Sequence, residues 1–238
     1  MKTKDNYEDY SSGRVLYGAP MATNFPVGLT LDIYRKCSEQ LIKNGNSGPY
    51  VIYDPFCGVA YSLTVLGFFN GENIKKIIAS DVDKTMLEFA HKNLSLLTKK
   101  GIDIRIKELK RFIQDYNKNS HEEALISAEK LKIISNELTT EIKEFQYNIL
   151  SDIQLPKFVN KIDMIITDLP YGKLTNWEGV DREINPTQQF LNKIKDRLKK
   201  NSVVVIVSNK QQKVIYEGFN KVKSFKVGKR KIIMLSPQ

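Results

Sequence analysis

Two short, largely apolar runs each end in an acid followed by a loop bearing proline and glycine, and this pairing restricts the fold more than any other feature of the chain. Tyr50-Val51-Ile52-Tyr53 leads into Asp54-Pro55-Phe56-Cys57-Gly58, and Met164-Ile165-Ile166-Thr167 leads into Asp168-Leu169-Pro170-Tyr171-Gly172. A run of this length, closed by turn formers, is too short for a helix and reads as a strand buried on both faces. In an open parallel sheet the carboxyl ends of such strands line the ligand crevice, so both loops are expected to face one place.

Further strands are expected at 76–81, 145–150, 202–208, 222–227 and 231–235, alternating with helical patterns. The runs at 164–167 and 203–207 are continuously apolar, as strands covered by helices on both sides must be. Between the last two strands lies only Gly228-Lys229-Arg230, enough for a tight hairpin and nothing longer. Residues 106–144 interrupt the alternation with apolar positions at helical spacing, Leu109, Phe112, Ile113 and Tyr116, then Leu125, Ala128, Leu131, Ile134 and Leu138. They predict two inserted helices broken near Asn117-Lys118-Asn119-Ser120. The expected fold is one α/β domain over 1–238, with a helical N-terminal segment at 1–48 and the insertion at about 106–144. Its core is a Rossmann-like, doubly wound sheet, mostly parallel and closing in an antiparallel hairpin, the topology of class I methyltransferases.

Thirty-seven basic residues against 27 acidic ones give a net charge of +10, which suits a polyanionic partner because Lys and Arg on phosphates release counterions. Lysine-rich composition also follows from an AT-rich genome, so charge alone does not decide the matter. No apolar stretch approaches the roughly 20 residues needed to cross a bilayer, and the polar start Met1 to Asn6 does not read as a signal peptide, so a cytoplasmic monomer is expected. Cys37 and Cys57 are too few for a disulfide framework, and with His91 and His121 they offer no metal-ligand spacing. Reduced thiols and no metal are expected.

The first acid loop has the makings of a site for S-adenosylmethionine. Backbone amides must approach the methionine moiety closely, which requires a residue such as Gly58. Asp54 ends the first strand, and Asp81 ends the next, where a carboxylate can accept both ribose hydroxyls, with Asp83 as substitute. Phe56, Cys57, Tyr61 and Val82, which flank these positions, and Asp168, from the second acid loop, complete the candidate cofactor site. Asp81 has a plainer reading as the cap of a helix starting near Lys84; the co-occurrence of strand, glycine loop, strand and acid favours the ligand. Cys57 reads as a small packing residue, since nothing nearby marks an activated thiolate.

The second acid loop suits a nucleobase. Methyl transfer to a planar nitrogen needs acceptors for its hydrogens and a flat surface that aligns the base. Asp168 and the Leu169 carbonyl are the candidate acceptors, Pro170 shapes the loop, and Tyr171 is the stacking platform. Stacking on an aromatic ring contributes about 1–3 kcal/mol, comparable with the cost of unstacking a base. The alternative is an Asp-Pro turn whose tyrosine packs on the sheet. Trp177 and Glu178 would extend the pocket. Lys221, Lys223, Lys226, Lys229, Arg230 and Lys231, together with Arg14, are candidates for the phosphate-facing surface, although lysines on an exposed edge also deter aggregation.

Almost end to end, the chain resembles the avilamycin-resistance rRNA methyltransferases. The likeness runs through Gly13 to Leu16, Phe25-Pro26-Val27, Asp54 to Gly58 with Leu63 to Gly67, and Ile78 to Asp83. It continues through Lys92-Asn93-Leu94 with Leu96-Leu97, and Thr167 to Gly172 with Trp177-Glu178-Gly179. The resemblance implies the helical insertion, S-adenosylmethionine as methyl donor, and a guanine of 23S ribosomal RNA as acceptor, at ring N1. It further implies resistance to orthosomycin antibiotics such as avilamycin. Methylation of guanine N2 is the enzymatic alternative, because enzymes for that amine carry the same kind of loop; an RNA-binding relic without cofactor is the other. The relic reading rests on one departure: where the family has Cys-Gly-Ser-Gly-Tyr, this chain has Cys57-Gly58-Val59-Ala60-Tyr61. If the second glycine sits at positive φ, Ala60 adds roughly 1–2 kcal/mol of strain, and Val59 is expected to crowd the methionine moiety. Cofactor affinity then falls by about tenfold if all the strain appears in binding.

Overall fold

The computed structural model describes residues 7–20, 25–170 and 185–238. Seven strands form one sheet: β1 (Tyr50–Asp54), β2 (Ile74–Asp81), β3 (Glu141–Gln146), β4 (Ile162–Asp168), β5 (Leu198–Asn209), β6 (Phe219–Val227) and β7 (Arg230–Pro237). Their order is β3-β2-β1-β4-β5-β7-β6, with β7 antiparallel to both β5 and β6 and the remaining pairs parallel. The helices are α1 (Val27–Lys43), α2 (Tyr61–Asn70), α3 (Lys84–Ser95), α4 (Lys99–Tyr116), α5 (Asn119–Glu137) and α6 (Pro186–Ile194).

The continuous apolar runs feed two cores, one on each face of the sheet. In β4, Met164 and Ile166 join one cluster and Ile165 the other; in β5, Val203, Val205 and Val207 alternate likewise with Val204 and Ile206. Each such side chain gains about 1.5–3 kcal/mol from burial, which is why these strands take the centre. The first cluster includes α1 to α5; the second lies under α6 and the loop before β4.

The third strand lies at 141–146, not at the expected 145–150. It is an edge strand, paired with β2 alone from Lys76↔Glu141 to Asp81↔Gln146, so it keeps Glu141, Lys143 and Glu144 and shows no apolar run. The residues that suggested a strand, Tyr147, Ile149 and Leu150, are instead buried in the loop that follows. The strand expected at 202–208 starts earlier, at Leu198, because a register irregularity between Ile162 and Met164 lets Leu198 pair with Ile162.

The helical pair runs from Lys99, and Asn117, in the left-handed region at φ 46, ends α4. The pair is fastened to the N-terminal segment. Ser127 on α5 receives Arg14 Nε at 2.8 Å and donates to Asp9 at 2.6 Å, while Arg105 on α4 donates to the carbonyls of Val15 and Arg14. No helix among the described residues is long and apolar enough to cross a membrane.

One fully buried acid lies away from the carboxyl ends of the strands. Asp163, near the start of β4, accepts from Asn46, the Val51 amide and Lys199, at 2.7–2.8 Å. With three donors it is a structural tie; the remaining strand-end acids gather at the opposite ends.

Candidate active site

The order β2-β1-β4 reverses the direction of winding between β1 and β4, and it is outside the carboxyl ends of strands at such a point that open α/β sheets bind ligands. Asp81, Asp54 and Asp168 occupy the ends of β2, β1 and β4 in that spatial order.

Asp54 is buried, and its Oδ1 accepts from the Thr167 hydroxyl at 2.6 Å and the Phe56 amide at 3.1 Å. Burial pushes its carboxyl up to about 7, the two hydrogen bonds oppose the rise, and the charges of Asp81 and Asp168 add to it. The loop that follows is held from both sides. The Cys57 amide donates to the Ser80 carbonyl, the Gly58 amide donates to Asp81 Oδ2 at 2.8 Å, and buried Asn93 donates to the Val59 carbonyl at 2.9 Å. Asn93 also bonds Tyr17, at its amide and its carbonyl, and so clamps the loop to the N-terminal segment. It lies in the run Lys92-Asn93-Leu94, where nothing in the sequence context separates a buried clamp from an exposed helix residue.

Gly58 lies at φ 51, and a Cβ placed there would meet nothing within 4 Å, so the loop is open on that side. Ala60 sits at φ 52 and ψ 29, the left-handed conformation expected of the family's glycine. Val59 does not crowd the crevice: it is buried in the cluster under α1 to α5. Tyr61 is buried and spends its hydroxyl on the Tyr10 carbonyl at 2.6 Å, so it offers a ligand no free hydroxyl and ties down the N-terminal segment instead. Cys57 is buried, and burial, with Asp54 and Asp81 nearby, pushes its thiol well up. Phe56 packs edge-on against Phe190 at 5.5 Å.

The two acids after β2 divide their work. Asp83 caps α3, accepting from the Thr85 and Met86 amides at 2.7 and 3.2 Å. Asp81 does not cap; it takes the Gly58 and Asp83 amides on separate oxygens, and burial raises its pKa. Two such bonds leave a carboxylate acceptor capacity, and Asp81 is only half-buried, so it fits a ribose diol. Val82 beside it is 40% exposed, an apolar side chain at the rim.

At the end of β4 the Leu169 amide donates to the Val207 carbonyl, and Gln212 donates to the Pro170 carbonyl at 3.2 Å. Tyr171, Trp177 and Glu178 lie outside the described residues. Among the basic candidates, Lys229 is exposed in the β6–β7 turn, whereas Arg14 is committed to Ser127 and stands 3.6 Å from Glu123. Arg14 is therefore a strut between the N-terminal segment and α5. Arg230 turns inward: its Nε lies 4.0 Å from Asp168 Oδ2, and its guanidinium stacks over the Phe25 ring at 5.2 Å. Among the described residues no group of three or more His, Cys, Asp or Glu is placed to hold a metal.

A doubly wound, mostly parallel sheet closing in an antiparallel hairpin, a tight glycine loop after β1 and acids at the ends of β1, β2 and β4 place the chain among the class I methyltransferases. The rRNA methyltransferase AviRa family model matches residues 1–230, and the chain belongs to that family. It is 31% identical over 234 residues to a 23S rRNA (guanine(2535)-N(1))-methyltransferase of Streptomyces viridochromogenes, covering 95% of this chain and 90% of that one. Two structures of rRNA methyltransferase AviRa from Streptomyces viridochromogenes are 27% identical and cover 98% of this chain. Their TM-scores are 0.81 and 0.83, with 93% and 94% of their own chains covered. TrmN from Thermus thermophilus shares the fold alone, with a TM-score of 0.56 at 15% identity, over 90% of this chain and 49% of that one.

Proposed function

We propose that this methyltransferase moves a methyl group from S-adenosylmethionine to N1 of a guanine in 23S ribosomal RNA, and that protection against an orthosomycin such as avilamycin follows. The observation that carries the reading is the placement of Asp81 and Asp168 on strands either side of β1, one acid suited to a ribose and the other to a base edge. The activity of the Streptomyces viridochromogenes relative supports guanine N1 as the acceptor.

Bound S-adenosylmethionine supplies an electrophilic methyl carbon on sulfur. The chain supplies the rest. Asp81 would hold the ribose, the amides around Gly58 would face the amino-acid moiety, and Val82 would pack on the adenine. Asp168 would accept the N1 proton of guanine as the nitrogen becomes nucleophilic, worth typically 10²–10⁴-fold in rate. The Leu169 carbonyl would be the second acceptor, with Tyr171 stacking on the base. Lys229 and the lysines of β6, exposed along the sheet edge, would meet phosphates.

Mass mapping of rRNA from cells with and without the gene tests the reading. One guanine should gain a methyl group on N1 only when the gene is present. A methyl group on N2, or an unchanged 23S rRNA with binding of S-adenosylhomocysteine absent as well, would overturn it.

A further inference from the structure

Arg230 occupies a place that a phosphate-binding residue would not. On β7 the side chains alternate, Ile232 and Met234 toward the α1 face and Ile233 and Leu235 toward the other, and Arg230 continues the first set. It therefore points into the sheet's α1 face, where Phe25 lies against its guanidinium, while Lys229 remains outside in the turn. Its side chain is only 23% exposed, its Nε stands 4.0 Å from Asp168 Oδ2, and that Nε makes no hydrogen bond among the described residues. An aromatic face orients the guanidinium plane, and an unbonded buried donor costs free energy until an acceptor reaches it.

We propose that Arg230 reads O6 of the target guanine and stabilises the charge that develops there. The inference rests on guanine N1 being the methyl acceptor. The Watson–Crick edge of guanine runs acceptor, donor, donor: O6, N1–H and the N2 amine. A guanidinium beside a carboxylate presents the complementary order, with Arg230 donating to O6 and Asp168 accepting from N1–H. Adenine would meet the same pair with an amine against the guanidinium and a bare ring nitrogen against the carboxylate, so the pair also rejects it. As the N1–H bond breaks, its proton passes to Asp168 and the electron pair left on N1 forms the bond to the methyl carbon, while the carbon–sulfur bond of the donor breaks, its pair returns to sulfur and S-adenosylhomocysteine is left. Until that bond is complete, negative charge is shared between N1 and O6. A fixed cation at O6 lowers the energy of that state more than the energy of the neutral base, which is what accelerates a reaction.

The test measures single-turnover methylation of 23S rRNA fragments at saturating RNA. The fragments carry guanine or 6-thioguanine at the position that mass mapping identifies, and sulfur is the weaker acceptor. Arg230→Gln should lower the rate on guanine by at least about 10²-fold while RNA affinity stays within about threefold. On 6-thioguanine the same substitution should cost less than about tenfold, the coupling that a direct contact to O6 produces. Arg230→Lys, which keeps the charge without the fork, should recover part of the loss and provides the comparison if the glutamine variant does not fold. Equal losses on both bases would assign Arg230 to the support of Asp168 or of the fold, and a loss confined to RNA affinity would return it to the phosphate surface; either overturns the proposal. If the wild-type product carries its methyl group elsewhere than N1, the guanine-N1 reading fails and takes this inference with it.

Discussion

The Thr167 hydroxyl donates a 2.6 Å hydrogen bond to Asp54 and so ties the end of β4 to the end of β1 inside the buried floor of the crevice. The acid that bounds the cofactor loop and the strand that presents Asp168 are thus one rigid unit. The contact lies in an electrostatically unfavourable place, because Asp54 is buried beside the acids Asp81 and Asp168, and its two hydrogen bonds only partly oppose the effect of burial on its carboxyl.

That condition predicts a pH dependence. The Asp54 carboxyl is pushed up to about 7 by burial in the native state, against about 3.9 in an unfolded chain. The native state therefore holds the proton more tightly. Its stabilising contribution is complete below about pH 4 and is lost as pH rises through about 7, an effect on the order of 4 kcal/mol. Asp54→Asn removes the ionisation while keeping an oxygen for Thr167. It should match or trail wild type in urea unfolding at pH 5 and exceed it at pH 8.5. A difference that does not change between those pH values would mean that Asp54 titrates normally.

Ala60 carries its strain in the fold itself. It sits at φ 52, where an L-residue pays about 1–2 kcal/mol, and the protein's own hydrogen bonds hold it there: its amide donates to the Cys57 carbonyl at 2.7 Å, and its carbonyl accepts from the Thr64 amide and hydroxyl at 3.0 and 2.9 Å. The penalty therefore falls on folding and not on cofactor binding. Ala60→Gly relieves it but returns about 0.4–1 kcal/mol of freedom to the unfolded chain, so the gain should be about 0.5–1 kcal/mol, a rise in Tm of about 1–4 °C. Calorimetric affinity for S-adenosylhomocysteine should stay within about threefold. A tenfold gain in affinity would place the strain in binding after all.

Asp81 and Asp83 separate a ligand acceptor from a cap. Asp81→Ala should weaken S-adenosylhomocysteine at least about tenfold and, because it strands the Gly58 and Asp83 amides, also cost about 1–3 kcal/mol of stability. Asp83→Ala should cost about 1 kcal/mol, from loss of the α3 cap, and leave affinity unchanged. If affinity instead falls in Asp83→Ala alone, the ribose sits on Asp83.

How far the chain could be read depended on what each residue's neighbours demanded of it. Val203 to Val207 and Met164 to Ile166 announced themselves because burial on both faces removes every polar option. β3 did not, because an edge strand paired on one side tolerates Glu141, Lys143 and Glu144, and its pattern matches a charged loop. Asp81 and Asp83 looked interchangeable: both follow an apolar run and precede a helix, and only the hydrogen bonds to Gly58, Thr85 and Met86 distinguish them. Arg230 was read with its lysine neighbours as surface charge. The hairpin was expected to leave it in the turn; with β7 starting at Arg230, alternation turns it toward Asp168. Arg14 looked like a free cation for the same reason, since a partner as distant in sequence as Ser127 leaves no local trace.

Asp168 bears the last prediction. Guanine N1 holds its proton at neutral pH, so an acceptor there needs a base, whereas an exocyclic amine needs only its hydrogens held in place. General-base assistance is worth typically 10²–10⁴-fold and appears in the chemical step, while contacts that merely orient the base are lost partly in binding. Asp168→Asn keeps the shape of the side chain and leaves Arg230 without its counter-charge. It should lower single-turnover methylation by at least about 10²-fold with little change in RNA affinity, and Tyr171→Ala should lower both. Should Asp168→Asn turn over at a near-normal rate, another group takes the N1 proton, and Glu178 is the next to substitute. Base-resolved mass spectrometry of the product from each variant fixes whether the methyl group it leaves is on N1 or N2.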